Sequence, residues 1–333
     1  MSFESASFTA SLSAGTTRPD KQVPVGRFAP SPSGPLHFGS LLSALASYLD
    51  IRSKRGIWLL RIDDLDTPRT VAGSEQAILD CLVAHGMQWD ESISRQSEHT
   101  EAYALALHTL AQRKQLFFCN CSRQSLRDQP TYPGTCRDNT VTPELLNAYL
   151  AERGERSHAV RLRVPESNDD SGNTQRTLTV QDELQRPKAS NAHMAKGDYV
   201  VFRRDGLVSY QLAVVVDDIL TGVNRVIRGA DLLPTTARQQ QLHGWLGAKS
   251  PAWLHLPVVL NQRSTKLSKQ AHSQPIDDSQ ASLNLATALQ LLGQQVPKEA
   301  PRQPVSELMQ WATAHWQPAA LPSEQTFSTF IGW

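Results

Sequence analysis

The chain has 333 residues, with 33 Lys and Arg against 32 Asp and Glu and a formal net charge of +1. That balance leaves no global field to advertise a nucleic-acid partner, so any RNA contact must come from local patches. The sequence holds no run of about eighteen apolar residues, which argues against a membrane-spanning helix, and its length allows one large α/β domain or two smaller ones with ample core.

Residues 1–24 are rich in Ser, Thr and Ala, carry Glu4 and lack an apolar segment. They read as a disordered extension, neither a secretory signal nor a transit peptide, and the expected location is cytoplasmic. A strand is predicted at Val25–Phe28, followed by a loop rich in Pro, Ser and Gly, and then by a helix with apolar residues at Leu41, Leu45, Tyr48 and Leu49. Strand, small-residue loop and helix form the first half of a βαβ unit. Such a loop lies at the carboxyl edge of a parallel sheet, where open α/β folds bind ligands. Gly34 and Gly39 permit close approach to the backbone, the helix start offers amides to an anion, and His37 adds a ring donor.

Ile57–Ile62 reads as a buried parallel strand that delivers Asp63, Asp64 and Asp66 to the same edge. Helices are expected over Ala77–His85, stopped by Gly86, and over Tyr103–Leu110. Cys81 sits on the apolar face of the first and reads as a core residue. Four cysteines, three of them clustered, fit a reduced compartment and a metal better than a disulfide scaffold. Cys119, Cys121 and Cys136 can place three thiolates about one soft cation, with Asp128, Tyr132 or Asp138 near enough to supply a fourth ligand.

Thr142-Pro143 opens a helix to about Glu152, and His158–Val164 alternates as a half-buried strand. Residues 166–191 read as a variable loop with a short strand near Leu178–Val180. Tyr199–Arg204 and Leu207–Val216 read as two arms of a hairpin on the Asp205-Gly206 turn. Val226–Asp231 is again strand then turn, Pro234–Leu246 a helix, and His255–Leu260 a final strand. The Gly247-Ala-Lys-Ser250 string is not a P-loop, because Ala248 stands where the glycine before the lysine belongs, and five residues before Ala248 is His243, not glycine. Two last helices are expected, around Leu285–Leu292 and over Pro304–Trp316.

His37-Phe-Gly-Ser40 resembles the His-Ile-Gly-His signature of class I aminoacyl-tRNA synthetases. Gly26-Arg-Phe-Ala-Pro-Ser-Pro-Ser-Gly34 before it looks like the glutamate-activating branch of that class. Lys266-Leu-Ser-Lys269 resembles the Lys-Met-Ser-Lys-Ser loop of the same enzymes. The departures are Ser40 for the second histidine and Gln270 for the last serine. The Cys-x-Cys…Tyr-x-x-x-Cys pattern at Cys119, Cys121, Tyr132 and Cys136 is similar to a zinc site in the glutamyl-Q branch, and names Tyr132 as fourth ligand.

The resemblance implies an α/β, Rossmann-like class I synthetase catalytic domain. Its halves would be residues 25–110 and 196–270, with an inserted zinc-bearing subdomain at 111–195. A short helical C-terminal region at 271–333 would follow, with no anticodon-binding domain. It implies that His37, Lys266 and Lys269 are catalytic, and that His37, Gly39, Ser40 and Lys269 meet ATP. Arg27, Ala29, Ser31, Asp63, Tyr210 and Arg228 would bind glutamate. Asp63 stands where the branch has glutamate, so its side chain is one methylene shorter. Arg228 matches the arginine that grips the substrate side-chain carboxylate, a role suited to a guanidinium fork.

The activity so implied is tRNA-independent activation of L-glutamate with ATP and Mg2+, then transfer of glutamate to the queuosine base of tRNA(Asp). One structural Zn2+ is implied, and the chain is expected to be a monomer with no membrane partner. Two other readings remain at this level: a truncated enzyme charging a tRNA 3′ end, and a non-catalytic nucleotide- or RNA-binding regulator with the same fold.

Overall fold

The computed structural model describes residues 23–129, 131–152, 154–165, 167–168, 174–175, 177–185, 194–259, 275–323 and 326–327. Residues 1–22, most of the expected extension, and the loop carrying Lys266 and Lys269 lie outside the described residues.

The opening unit follows from its apolar pattern. β1 (Val25–Phe28) is buried throughout and leads through the Pro/Ser/Gly loop into α1 (Phe38–Arg52). The helix packs Leu41, Leu42, Leu45 and Leu49 into the core. β2 (Ile57–Ile62) then returns parallel to β1, with Val25 opposite Ile57 and Phe28 opposite Leu60. This is the expected βαβ half. Trp58 at its centre is fully buried, donates to Ser47 Oγ at 3.1 Å and meets Tyr48 edge-on. α2 (Ser74–Ala84) ends where Gly86 takes φ +70°, and Cys81 is buried in the core as expected. β3 (Ser94–Arg95) adds to β2 in parallel.

α3 (Thr100–Gln112) leads to a second, antiparallel unit. There β4 (Leu116–Cys119) and β10 (Tyr199–Phe202) flank β5 (Ala159–Leu162), while α4 (Pro143–Ala151) packs outside with Thr142 as its N-cap. Among its described residues the intervening stretch holds four short strands: β6 (Ser167–Asn168) with β7 (Thr174–Gln175), and β8 (Thr177–Thr179) with β9 (Met194–Lys196).

Two expectations are corrected here. Leu207–Val216 is not a hairpin arm: α5 runs from Tyr210 to Leu220. The Asp205-Gly206 turn closes with a single bridge, Phe202 to Val208, and β10 pairs with β5 instead. The valine run reads as strand by propensity, but Leu212–Asp218 are all buried, and a segment enclosed on all sides gains as much by forming a helix. The final strand also differs. β12 (Ala252–Leu256) begins earlier, and Pro257, lacking an N–H, separates it from β13 (Val258–Val259).

β11 (Arg225–Gly229) lies parallel to β12, and α6 (Leu233–Trp245) joins them. β1 meets this second pair through Asn224, which accepts from Val25 N at 2.9 Å and donates its own amide to Val25 O at 3.0 Å. The chain therefore winds from β1 outward to β2 and β3 on one side, and to β11 and β12 on the other. The crevice at that switch point is where such folds bind ligands. α7 (Ala281–Leu291) and α8 (Val305–Ala314) cover the first unit's core, and β14 (Thr326–Phe327) pairs with β13. No helix among the described residues is long and apolar enough to cross a membrane.

The α1–β1 contact sets the position of the signature loop. A Cβ on Gly26 would stand 2.6 Å from Ile51 Cγ1, inside any real contact distance. Gly26→Val is therefore expected to lower unfolding free energy by about 1–3 kcal/mol in urea titration. Unchanged stability would mean that α1 is free to shift outward.

Candidate active site and cysteine cluster

Arg27 on β1, Ala29, Ser31 and His37 in the loop after it, and Gly39 and Ser40 in the first turn of α1 line a cavity of about 340 Å³ at the switch point. The opposite wall includes Asp63 after β2, Tyr210 at the start of α5 and Arg228 on β11. All nine of these sequence-identified residues, drawn from distant parts of the chain, meet in one space. The two lysines Lys266 and Lys269 fall outside the described residues.

His37 is the N-cap of α1, with extended backbone. Its Nδ1 accepts from the Ser40 amide at 3.3 Å, and Nε2 lies 3.0 Å from Ser40 Oγ. Ser40, the departure from the second histidine of the signature, thus turns its hydroxyl toward the first. The amide of Asp63 donates to Pro30 O at 3.0 Å, tying the two loop ends together.

Behind the cavity lies a buried charge network that the sequence analysis left unassigned. Asp218 accepts from Arg27 Nε at 3.2 Å and from Arg61 Nη1 at 2.7 Å. Arg61 Nε also donates to Asp63 Oδ1 at 2.7 Å and lies 3.6 Å from Asp217 Oδ2. Asp217 is held in turn by Gln96 at 2.6 Å, Tyr103 at 2.8 Å and His99 at 2.9 Å. Burial opposes ionisation of Asp218, but Arg27 and Arg61 hold it below its ordinary value. The available signal was Asp217-Asp218 ending an apolar run, since buried carboxylates require cations or donors.

Asp63 fares differently. Burial pushes it up to about 6, against the pull of Arg61. Its contribution to stability is fully present below the ordinary value of 3.8 and is lost as pH rises through about 6.

Arg228 is 5% exposed, and its guanidinium lies 4.8 Å above the Trp253 ring centroid. It donates to His255 Nε2 at 3.0 Å, Thr236 Oγ1 at 2.8 Å and Tyr210 Oη at 3.4 Å. None of these partners is a carboxylate. Sequence reasoning missed His255 and Thr236, whose roles depend on contacts across the fold.

The cysteines form a second cluster. The three Sγ atoms of Cys119, Cys121 and Cys136 lie within 4.8 Å of one another, and all are free thiols. Tyr132 Oη sits 3.4 Å from Cys119 Sγ and 3.9 Å from Cys121 Sγ, and it accepts from Cys136 N at 2.9 Å. Cys121 and Cys136 sulfurs are 3.6 Å apart, close to the about 3.8 Å edge of a tetrahedron with 2.3 Å metal–sulfur bonds. Arg161 stacks 4.1 Å above the Tyr132 ring centroid. Burial opposes ionisation of Cys119, yet Tyr132 and Arg161 hold that thiol below its ordinary value. Donor type, spacing and nearby positive charge all fit a thiophilic cation.

A further grouping, Cys81, His85 and Asp278, lacks this character. His85 Nδ1 donates to Cys81 O at 2.8 Å and Nε2 accepts from Asn284 at 3.1 Å, so both ring nitrogens are already used.

Comparison with known proteins accords with this arrangement. The profile of tRNA synthetases class I (E and Q), catalytic domain, matches residues 23–300. The chain belongs to that family. It is 41% identical over 303 residues to the glutamyl-Q tRNA(Asp) synthetase of Pseudomonas paraeruginosa, covering 91% of this chain and 96% of that protein. It is 43% identical over 308 residues to the enzyme of the same name from Dechloromonas aromatica, covering 90% and 96%. A solved glutamate tRNA ligase from Elizabethkingia meningosepticum shares the fold with a TM-score of 0.70 at 22% identity, covering 91% of this chain and 66% of that one.

The Asp63 environment has a direct readout. Carboxyl NMR of aspartate-labelled protein is expected to show a titration near pH 6 that disappears in Asp63→Asn. A site titrating near the ordinary value of 3.8 would mean that water reaches this carboxylate.

Proposed function

We propose that this synthetase-family chain activates L-glutamate with ATP, without needing tRNA, and transfers the glutamyl group to the queuosine base of tRNA(Asp). The observation that carries the substrate assignment is Arg228, a buried cation on the cavity wall whose hydrogen-bond partners are all uncharged side chains. Asp218 and Asp231 act on it only through space, so an incoming side-chain carboxylate supplies the directly bonded negative charge, whereas the neutral amide of glutamine does not. Tyr210 Oη stands beside that fork at 3.4 Å. Asp63, on the same cavity, offers a carboxylate to the substrate ammonium. Arg27 stands beside them with Asp218 locking its guanidinium.

In the reaction, a glutamate α-carboxylate oxygen bonds to the α-phosphorus of ATP as the bond from that phosphorus to the bridging oxygen breaks. Pyrophosphate leaves with the electron pair. Charge grows on the phosphates, and His37, Gly39 and Ser40 at the start of α1, and Lys266 and Lys269 are the groups assigned to it. Magnesium accompanies ATP and neutralises its phosphates. The adenylate is then attacked by a nucleophile of the queuosine base, which releases AMP.

Cys119, Cys121, Tyr132 and Cys136 would hold a zinc ion, whose part is to fix the loop that follows β4 and so to shape the inserted unit. The purified protein is expected to carry about one zinc per chain, lost in Cys136→Ser together with several degrees of Tm. Metal-free protein with an unchanged melting curve would remove the metal from the account.

The acceptor is tested by incubating protein, ATP and radiolabelled glutamate with tRNA that contains or lacks queuosine. Label is expected only on the anticodon fragment of queuosine-containing tRNA(Asp). Label on a 3′-terminal adenosine would instead make the chain a 3′-charging enzyme, and absence of both label and pyrophosphate exchange would make it a non-catalytic binder.

A further inference from the structure

Behind Arg228 stands a pair of side chains that neither the sequence motifs nor the proposed chemistry uses. His255 on β12 is fully buried, with its ring stacked at 6.3 Å on Trp253. Its Nε2 accepts from Arg228 Nε at 3.0 Å, and its Nδ1 lies 2.6 Å from Asp182 Oδ2. The Asp182 side chain is likewise fully buried. Its other oxygen, Oδ1, accepts from the backbone amides of Leu184 at 3.0 Å and Gln185 at 2.6 Å. Asp182 comes from the stretch that sequence reading assigned to a variable loop. That loop is tied to the sheet by Glu183 N donating to Trp253 O at 2.8 Å and by Gln185 Nε2 donating to His255 O at 3.0 Å.

The proton positions follow from the donors. Arg228 Nε–H points at His255 Nε2, and Thr236 Oγ1, which itself accepts from Arg228 Nη2, lies 3.0 Å from the same nitrogen; the fixed N–H of the guanidinium requires that nitrogen to carry a lone pair, with the rotatable Thr236 hydroxyl beside it. The ring proton then sits on Nδ1 and is donated to Asp182. A protonated ring would set N–H against N–H, and one cation against another. Burial and Arg228 both hold His255 in the neutral form, although Asp182 pulls the other way.

We propose that Asp182 and His255 are positioning residues for substrate selection: Asp182 fixes the His255 tautomer, and neutral His255 orients Arg228 without neutralising it. A carboxylate in the place of His255 would orient the guanidinium equally well, but would satisfy the charge that the substrate is meant to meet. A neutral relay separates the two tasks. This inference rests on Arg228 being the group that receives the glutamate side chain.

The discriminating substitution is Asp182→Asn. Three backbone amides, those of Leu184, Gln185 and His255, hold Oδ1, so the new carboxamide keeps its oxygen there and turns its NH2 toward the His255 ring. That donor forces Nδ1 to accept and moves the ring proton to Nε2, against Arg228 Nε–H. Asp182→Ala removes the acceptor without adding a donor, so the ring keeps access to the productive tautomer. A tautomer role therefore makes Asn the worse variant for glutamate binding. A purely structural role makes Ala the worse one, because Asn preserves the turn at Leu184 and Gln185.

The test is ATP–pyrophosphate exchange on the full chain, with melting temperatures recorded for each variant. Asp182→Asn is expected to raise KM for glutamate about tenfold or more, with KM for ATP and Tm close to the parent. Asp182→Ala should raise it less while lowering Tm more. The reverse order in KM, or equal rises in the KM of both substrates, would overturn the relay. Arg228→Gln is the control: if it raises KM for glutamate while Asp182→Asn does not, the relay alone fails. If Arg228→Gln leaves KM for glutamate unchanged, both the pocket assignment and the relay fall.

Discussion

The site depends on burying Asp218 between two arginines. This carboxylate comes from α5, while Arg27 comes from β1 and Arg61 from β2. One residue thereby pins the second half of the domain to the first, at the level of the cavity. Truncating one member of such a buried set is costly, typically about 3–5 kcal/mol, because the others are left charged and dry. The geometry is correspondingly determined. Arg27 cannot swing toward solvent without stranding Asp218, and Asp63 is held from behind by Arg61 at 2.7 Å. Preorganisation of this kind lets a cavity wall bind without first reordering its own side chains.

How much of this was legible in the sequence varied with how local the cause was. The βαβ opening, the His37 cap and the Thr142 cap were all readable, since each depends on residues within one or two turns of chain. The cavity residues were readable through the resemblance of motifs, because Arg27, Asp63, Tyr210 and Arg228 sit in strings that carry them. The fold around Tyr210 was not. Its valine-rich context has strand propensity, and only enclosure by the second core makes Tyr210 the first residue of a helix. That change alters the mechanics: a tyrosine at a helix start can lean over the neighbouring strand toward Arg228. Asp182 lay in a polar stretch with no periodicity, and its burial follows from a contact with residue 255 across the fold.

The cysteine cluster shows the same division from another side. Spacing brought three thiols into consideration, but spacing left Asp128, Tyr132 and Asp138 open as the fourth donor. The fold places Tyr132 Oη among the sulfurs, oriented by the Cys136 amide and backed by Arg161. Arg161 and Tyr132 favour the thiolate of Cys119, whereas burial holds Cys121 and Tyr132 toward their protonated forms.

The three arginines around the cavity are treated in two opposite ways. Arg27 and Arg61 have carboxylate partners at hydrogen-bond distance, whereas Arg228 has imidazole, hydroxyl and phenol. Stability alone would favour pairing all three directly, since a buried cation without a bonded counter-charge is costly, and Asp218 and Asp231 act on Arg228 only through space. The fold instead keeps Asp182 one imidazole ring away from Arg228, near enough to bias the ring and too far to bond the guanidinium itself. The cost is the kind expected at sites where function and stability conflict. It also explains why charge, more than shape, would select the ligand. A carboxylate entering the cavity would give the guanidinium the directly bonded counter-charge that its own partners lack, and a neutral isostere of the same size would not.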